Sequence, residues 1–185
     1  MYIIIPLVII GLVVLWAVLA YNGLITLKNQ VENAWRQIDV QLKRRHDLIP
    51  NLVNTVKGAM EFERDTLTRV VEARAKAMGA PTVREKAEAE GFLTEALGKL
   101  FALVESYPEL KSNKNILQLQ EELTSTENRI GFARQFYNDL IAKFNIRQSV
   151  FPTVIIASLM GFEKGEYFQA GAGEREVPGV DLRLK

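Results

Sequence analysis

LITLKNQVENAWRQIDVQLKRRHDLIPNLVNTV, residues Leu24 to Val56, is the stretch whose period decides the fold. Val31, Ile38 and Leu52 share one seven-residue phase, which Ala59 continues. Trp35, Leu42, Ile49 and Val56 share the neighbouring phase, continued by Val70 and Ala77. Alternating steps of three and four place apolar side chains on one face of an α-helix, the a/d-like seam along which helices pack. Because this phase holds from Leu24 to about Met78, the spacing predicts one long helix through Pro50 and Gly58. Pro50 removes the hydrogen bond to the His46 carbonyl and predicts a kink. Gly58 costs up to about 1 kcal/mol relative to Ala. A hairpin turning near Gly58 is the alternative.

On the N-terminal side the polar face disappears. No Asp, Glu, Lys, Arg or His occurs from Met1 through Leu27, and the core of that stretch is IIIPLVIIGLVVLWAVLAY, Ile3 to Tyr21. As a helix it is roughly 28 Å long, about the hydrocarbon thickness of a bilayer. Trp16 and Tyr21 stand towards one end, as interfacial aromatics do. A core helix of this length would normally keep a polar face. A cleaved signal peptide would want a basic n-region and a small-x-small site, and Ala17-Val18-Leu19-Ala20-Tyr21-Asn22 matches that poorly. Residues 1–23 therefore read as an uncleaved transmembrane anchor. Lys28, Arg36, Lys43, Arg44 and Arg45 follow the span and no basic side chain precedes it, so the positive-inside rule predicts the N-terminus outside and the domain in the cytoplasm.

On the C-terminal side three more helices are predicted. Gly79-Ala80-Pro81 stops the first, and Thr82 with Glu85 forms a capping box for a second running to about Ser106. Its buried face is read as Ala89, Leu93, Ala96, Leu100, Leu103 and Tyr107. After the loop PELKSN a third helix runs from about Asn115 to Gln148, with Ile116, Leu119, Leu123, Ile130, Ala133, Tyr137, Leu140 and Phe144 as its stripe. Pro152 opens a short fourth helix, about Thr153 to Met160, ended by Gly161. No strand pattern is present. Helices with single apolar stripes bury them only against one another, so the fold class is all-α: a transmembrane helix continuing into an antiparallel bundle over residues 24–162. Residues 163–185, rich in Gly and charge, read as a flexible tail.

The 185 residues are 48% hydrophobic and 24% charged with a formal net charge of +1, a globular balance that argues against nucleic-acid binding. Without cysteine, disulfides and thiolate metal sites are excluded.

Two segments carry a resemblance. YNGLITLKNQVENAWRQIDVQLKRRHDLIPNLVNTVKG resembles the opening of the LemA family of bacterial membrane proteins. ESYPELKSNKNILQLQEELTSTENRIGFARQFYNDLIAKFN, followed by Phe151-Pro152 and Gly161-Phe162, resembles its second signature. Phe144 departs from it, standing where the family more often has Tyr before the Asn. The resemblance implies an N-terminal anchor and an antiparallel helical bundle; it brings no activity, catalytic residue or cofactor.

The residues themselves name no reaction centre, so catalytic residues, metal ligands and cofactors are expected to be none. His46 is the sole histidine, with no HExxH around it, and reads as a helix-surface residue beside the carbonyl freed by Pro50. Lys43-Arg44-Arg45-His46 reads as a solvated basic face paired with carboxylates of a neighbouring helix, since Lys43 lies roughly 30 Å of helix beyond Tyr21 and out of reach of lipid head groups. Glu121, Glu122 and Glu127 lack the Glu-x-x-His pairs of a di-iron bundle. Thr126 and Glu127, with Asn128 and Arg129 after them, flank the seam between Leu123 and Ile130 and predict an interhelical polar network with Arg134 or Arg45. There is no GxxxxGK[ST] loop and no GxSxG elbow; Gly171-Ala172-Gly173 follows no strand.

The function expected from this is a non-enzymatic scaffold of the bacterial inner membrane, acting by helix–helix contact. An adaptor or sensor coupled to another membrane protein is the alternative, and a membrane hydrolase the least favoured. Expected partners are the bilayer, further membrane proteins and a second copy. A first helix roughly 80 Å long would outrun its neighbours, leaving Leu27, Val31, Trp35 and Ile38 in water and inviting a homo-oligomer through that helix.

Overall fold

The computed structural model describes residues 4–58 and 63–169, and among these the regular structure is helix alone. The helices are α1 (Ile4–Lys57), α2 (Arg64–Gly79), α3 (Val83–Ser106), α4 (Pro108–Lys111), α5 (Lys114–Ser149) and α6 (Thr153–Leu159). Two compact units are formed, one from Met1–Asp39 with Gly131–Tyr167 and one from Val40–Ile130 with Phe168–Lys185. Both α1 and α5 contribute to each.

The long first helix is not continuous to Met78. It stops at Lys57, and Arg74 on α2 donates from Nε to the His46 carbonyl at 2.7 Å. In one straight helix those residues would stand roughly 40 Å apart. The hairpin is the arrangement adopted. Unbroken phase misled because α1 and α2 both turn their stripes to one core: Ile49, Leu52 and Val56 pack with Leu67, Val70 and Ala77. Phase records which face is apolar, not whether the chain has turned back between two faces.

In that second unit α3 adds Ala89, Leu93, Leu97, Leu100 and Val104 to the core, and α5 adds Ile116 and Leu123. The capping box stands as the sequence predicts: Thr82 Oγ1 accepts from the Glu85 amide at 3.2 Å and the Glu85 carboxylate accepts from the Thr82 amide at 3.3 Å. The buried face of α3 is rotated slightly from the expected one, with Leu97 and Val104 rather than Ala96 and Leu103 fully enclosed. PELKSN, read as loop, holds the single turn α4, which Pro108 starts with the φ it already has.

In the first unit the part of α1 around Leu24 to Trp35 lies antiparallel to α5. Trp35 packs on Tyr137 with ring centroids 5.5 Å apart, and Leu24 joins Phe144 and Ala157, with Leu27, Val31 and Phe162 around them. Ile38 is fully buried and Leu27, Val31 and Trp35 are half-buried. The stripe is therefore covered within the chain, and the premise for self-association through the first helix falls away. Helix α6 ends in a Schellman motif: Phe162 N–H reaches the Ala157 carbonyl at 3.0 Å, and Gly161 takes φ +68° between them. That reversal seats Phe162 edge-on against Tyr21 and Phe144, at 6.1 and 6.2 Å.

The segment expected to open a flexible tail is tied down at its start. Asn145 accepts from the Gly165 amide at 2.8 Å and donates to its carbonyl at 3.0 Å, Tyr137 donates to the Glu166 carbonyl at 2.9 Å, and Gln148 to that of Glu163 at 3.3 Å. The rest of the expected tail, from residue 170, lies outside the described residues.

Candidate functional site

The stripe of α1 runs Ile38, Leu42, Arg45, Ile49, Leu52, Val56, so a charged side chain occupies a seam position. The stripe of α3 runs Glu90, Leu93, Leu97, Leu100, Val104, and its first member is charged as well. The two meet. Arg45 Nη1 donates to Glu90 Oε2 at 3.1 Å, and His46 Nε2 lies 2.6 Å from Glu90 Oε1. Arg45 Nη2 donates to Thr94 Oγ1 at 2.9 Å, and Thr94 passes its own proton to the Glu90 carbonyl at 3.0 Å. From α5, Glu127 sets Oε2 2.9 Å from Arg45 Nη2, an ion pair at an angle that makes no hydrogen bond. Arg74 closes the cluster from α2 through the His46 carbonyl. Four helices are joined at one level of the core.

The enclosure decides what this cluster can do. Glu90 is 0% exposed, Arg45 2% and His46 7%. A His–Glu pair is an acid–base element in the abstract. Here one carboxylate oxygen faces the imidazole, the other takes the guanidinium, and the neighbouring hydroxyl is bonded to backbone. A reactant has no approach. Charged groups in low dielectric are tolerated only where their partners stand, so sliding one helix by a turn would bury charges unpaired.

His46 is thus not the surface residue expected; its ring lies in the core because it follows Arg45 on the edge of the buried stripe. The basic run divides by helical phase, with Lys43 and Arg44 outside and Arg45 inside. Arg44 pairs loosely with Glu122 at 3.7 Å, while Glu121 faces solvent. Of the two arginines expected near Glu127, Arg45 reaches it, with Nη2 2.9 Å from Oε2. Thr126 is buried and bonds the Glu122 carbonyl in its own helix, and Asn128 and Arg129 are exposed. Glu90 was missed, although a signal exists: stepping back by four and three from Leu97 through Leu93 lands on it.

A family model described as the LemA family matches residues 34–182. Protein LemA of Metamycoplasma hominis is 27% identical over 164 residues, covering 88% of this chain and 75% of that protein. Magnetosome protein MamQ 2 of Paramagnetospirillum magneticum is 25% identical over 175 residues, covering 80% of this chain and 64% of that protein. Magnetosome protein MamQ of Magnetospirillum gryphiswaldense is 23% identical over 184 residues, covering 85% and 68%.

Proposed function

The chain belongs to the LemA family, and from that premise we propose that it is a membrane-anchored, non-enzymatic scaffold working through helix–helix contacts. The N-terminal part of α1 is long and apolar enough to cross a membrane, and its side chains from Ile4 to Leu15 are exposed. In this reading it crosses the bacterial inner membrane with the N-terminus outside and the bundle in the cytoplasm, supported by the basic residues that follow the span. The names LemA and magnetosome protein state no reaction.

The observation that carries the reading is the closure of the Arg45–Glu90–His46 cluster, which turns the most reactive groups of the core towards one another. The surface offers contact instead. Phe132 and Phe136, one turn apart on α5, are 74% and 51% exposed, an apolar ridge suited to another helix. Self-association, expected at the first helix, is assigned in this proposal to that ridge.

The test is a photo-crosslinking amino acid at position 132 or 136 in living cells. A discrete adduct, to a second copy or to one membrane protein, is expected. A chain that forms no adduct at either position and is monomeric in nanodiscs overturns the scaffold. Sidedness is read separately with Ser125→Cys, an exposed site in a cysteine-free chain. It should resist impermeant thiol reagents until cells are opened; labelling in intact cells would reverse the orientation.

A further inference from the structure

From Gln148 through Gly161 the chain carries no charged residue, yet most of it lies at the surface. Phe151 is 81% exposed, Leu159 74%, Met160 59% and Ile155 48%, with Val150 and Val154 also open. The opposite face of α6, Thr153, Ile156 and Ala157, is buried. A helix apolar on both its inner and its outer side is not built to face water.

Its neighbours within the same unit say what covers it. Ala157 and Phe144 pack on Leu24, and Phe162 on Tyr21, so α6 stands beside the residues where the apolar span of α1 ends. The exposed side chains of α1 from Ile4 to Leu15 need lipid for the same reason. The uncharged surface of 150–160 continues that belt sideways. Arg147 before it and Lys164 after it are exposed cations, with the acids Glu163 and Glu166 on either side of Lys164.

We propose that the Phe151–Pro152 turn and α6 are a second membrane-contacting element, dipping into the boundary between head groups and acyl chains of the bilayer that α1 crosses. This rests on the reading of α1 as a transmembrane span. The element lies in the interface rather than across it: seven residues of helix reach roughly 10 Å, a third of the hydrocarbon core. Two contacts at one level, span and wedge, hold α1 and α5 at a set angle to the membrane plane, which one flexible anchor would not do.

The experiment uses the full chain in phosphatidylcholine–phosphatidylglycerol nanodiscs, with a single environment-sensitive fluorophore on Leu159→Cys, Leu12→Cys or Ser125→Cys. Nitroxide lipids quench according to depth. The label at 159 is expected to emit to the blue of the label at 125 and to be quenched most by head-group-proximal nitroxide; the label at 12 should be quenched most by the deep one. If the label at 12 is quenched and that at 159 is not, being reached by aqueous iodide instead, the wedge is overturned while the span stands. An unquenched label at 12 overturns the span and the wedge with it. Phe151→Cys gives the same reading from the turn, should Leu159→Cys disturb α6.

Discussion

Arg74 donates its Nε hydrogen to the main-chain carbonyl of His46 at 2.7 Å, and that is the carbonyl Pro50 leaves without a partner in its own helix. A side chain on α2 thereby mends a break that the sequence of α1 makes. A buried orphan carbonyl costs about 1–3 kcal/mol. Arg74→Ala should destabilise the hairpin by about that amount with Pro50 present and by less in a Pro50→Ala background, where residue 50 regains an amide to offer. A double-mutant cycle by chemical denaturation in detergent measures the coupling. Equal losses in the two backgrounds would mean that Arg74 does not compensate for the amide Pro50 lacks.

The buried ion cluster should behave asymmetrically. Glu90→Ala strands Arg45 next to His46 in the core and should cost about 3–5 kcal/mol. Exchanging the cluster for apolar residues of similar volume, Arg45→Met with His46→Leu and Glu90→Leu, should recover most of that loss. Thermal unfolding ranks the three proteins. A triple variant as unstable as the single one would show that the ion pairs hold the core together, rather than setting which helix levels meet.

Leu123 on α5 is 3% exposed within the core of the second unit. Leu123→Ala should therefore lose about 2–5 kcal/mol through lost burial and the cavity left behind. Lys164→Ala, at an exposed position, should stay within about 0.5 kcal/mol of the parent. Small and equal effects from both would remove Leu123 from the core.

Tyr137 gives a pH dependence of known sign. Burial, and secondly the charge of Glu166, push its phenol above the ordinary tyrosine range. The folded state thus prefers the neutral phenol, which donates to the Glu166 carbonyl. This contribution is complete below the unfolded value of about 10 and is lost as pH rises through the higher folded value. Between neutral pH and the alkaline range above about 10, the parent should lose more stability than Tyr137→Phe, which keeps the ring on Trp35 but has no proton to release. Parallel pH profiles would refute the linkage.

Period and punctuation, which act within one or two turns of chain, made much of this protein legible in advance. The uncharged run to Leu27, the Thr82–Glu85 box, Pro152 and Gly161 located the apolar start of α1, the start of α3 and both ends of α6, since caps and breakers act on their own backbone. The pairing of Glu127 with Arg45 was foreseeable too, as a polar group beside a seam needs a partner across it. What local signals do not carry is the third dimension. Only the tertiary structure decided that the chain folds back after Lys57, because a continuous helix and a hairpin around one core display the same apolar phase. It alone brought Arg45, His46 and Glu90 together, drawing a charge that belongs to a basic run into the core. A charged residue in an apolar stripe is stable only where another helix delivers its counter-charge, and which helix arrives is settled by packing, not by neighbours in sequence.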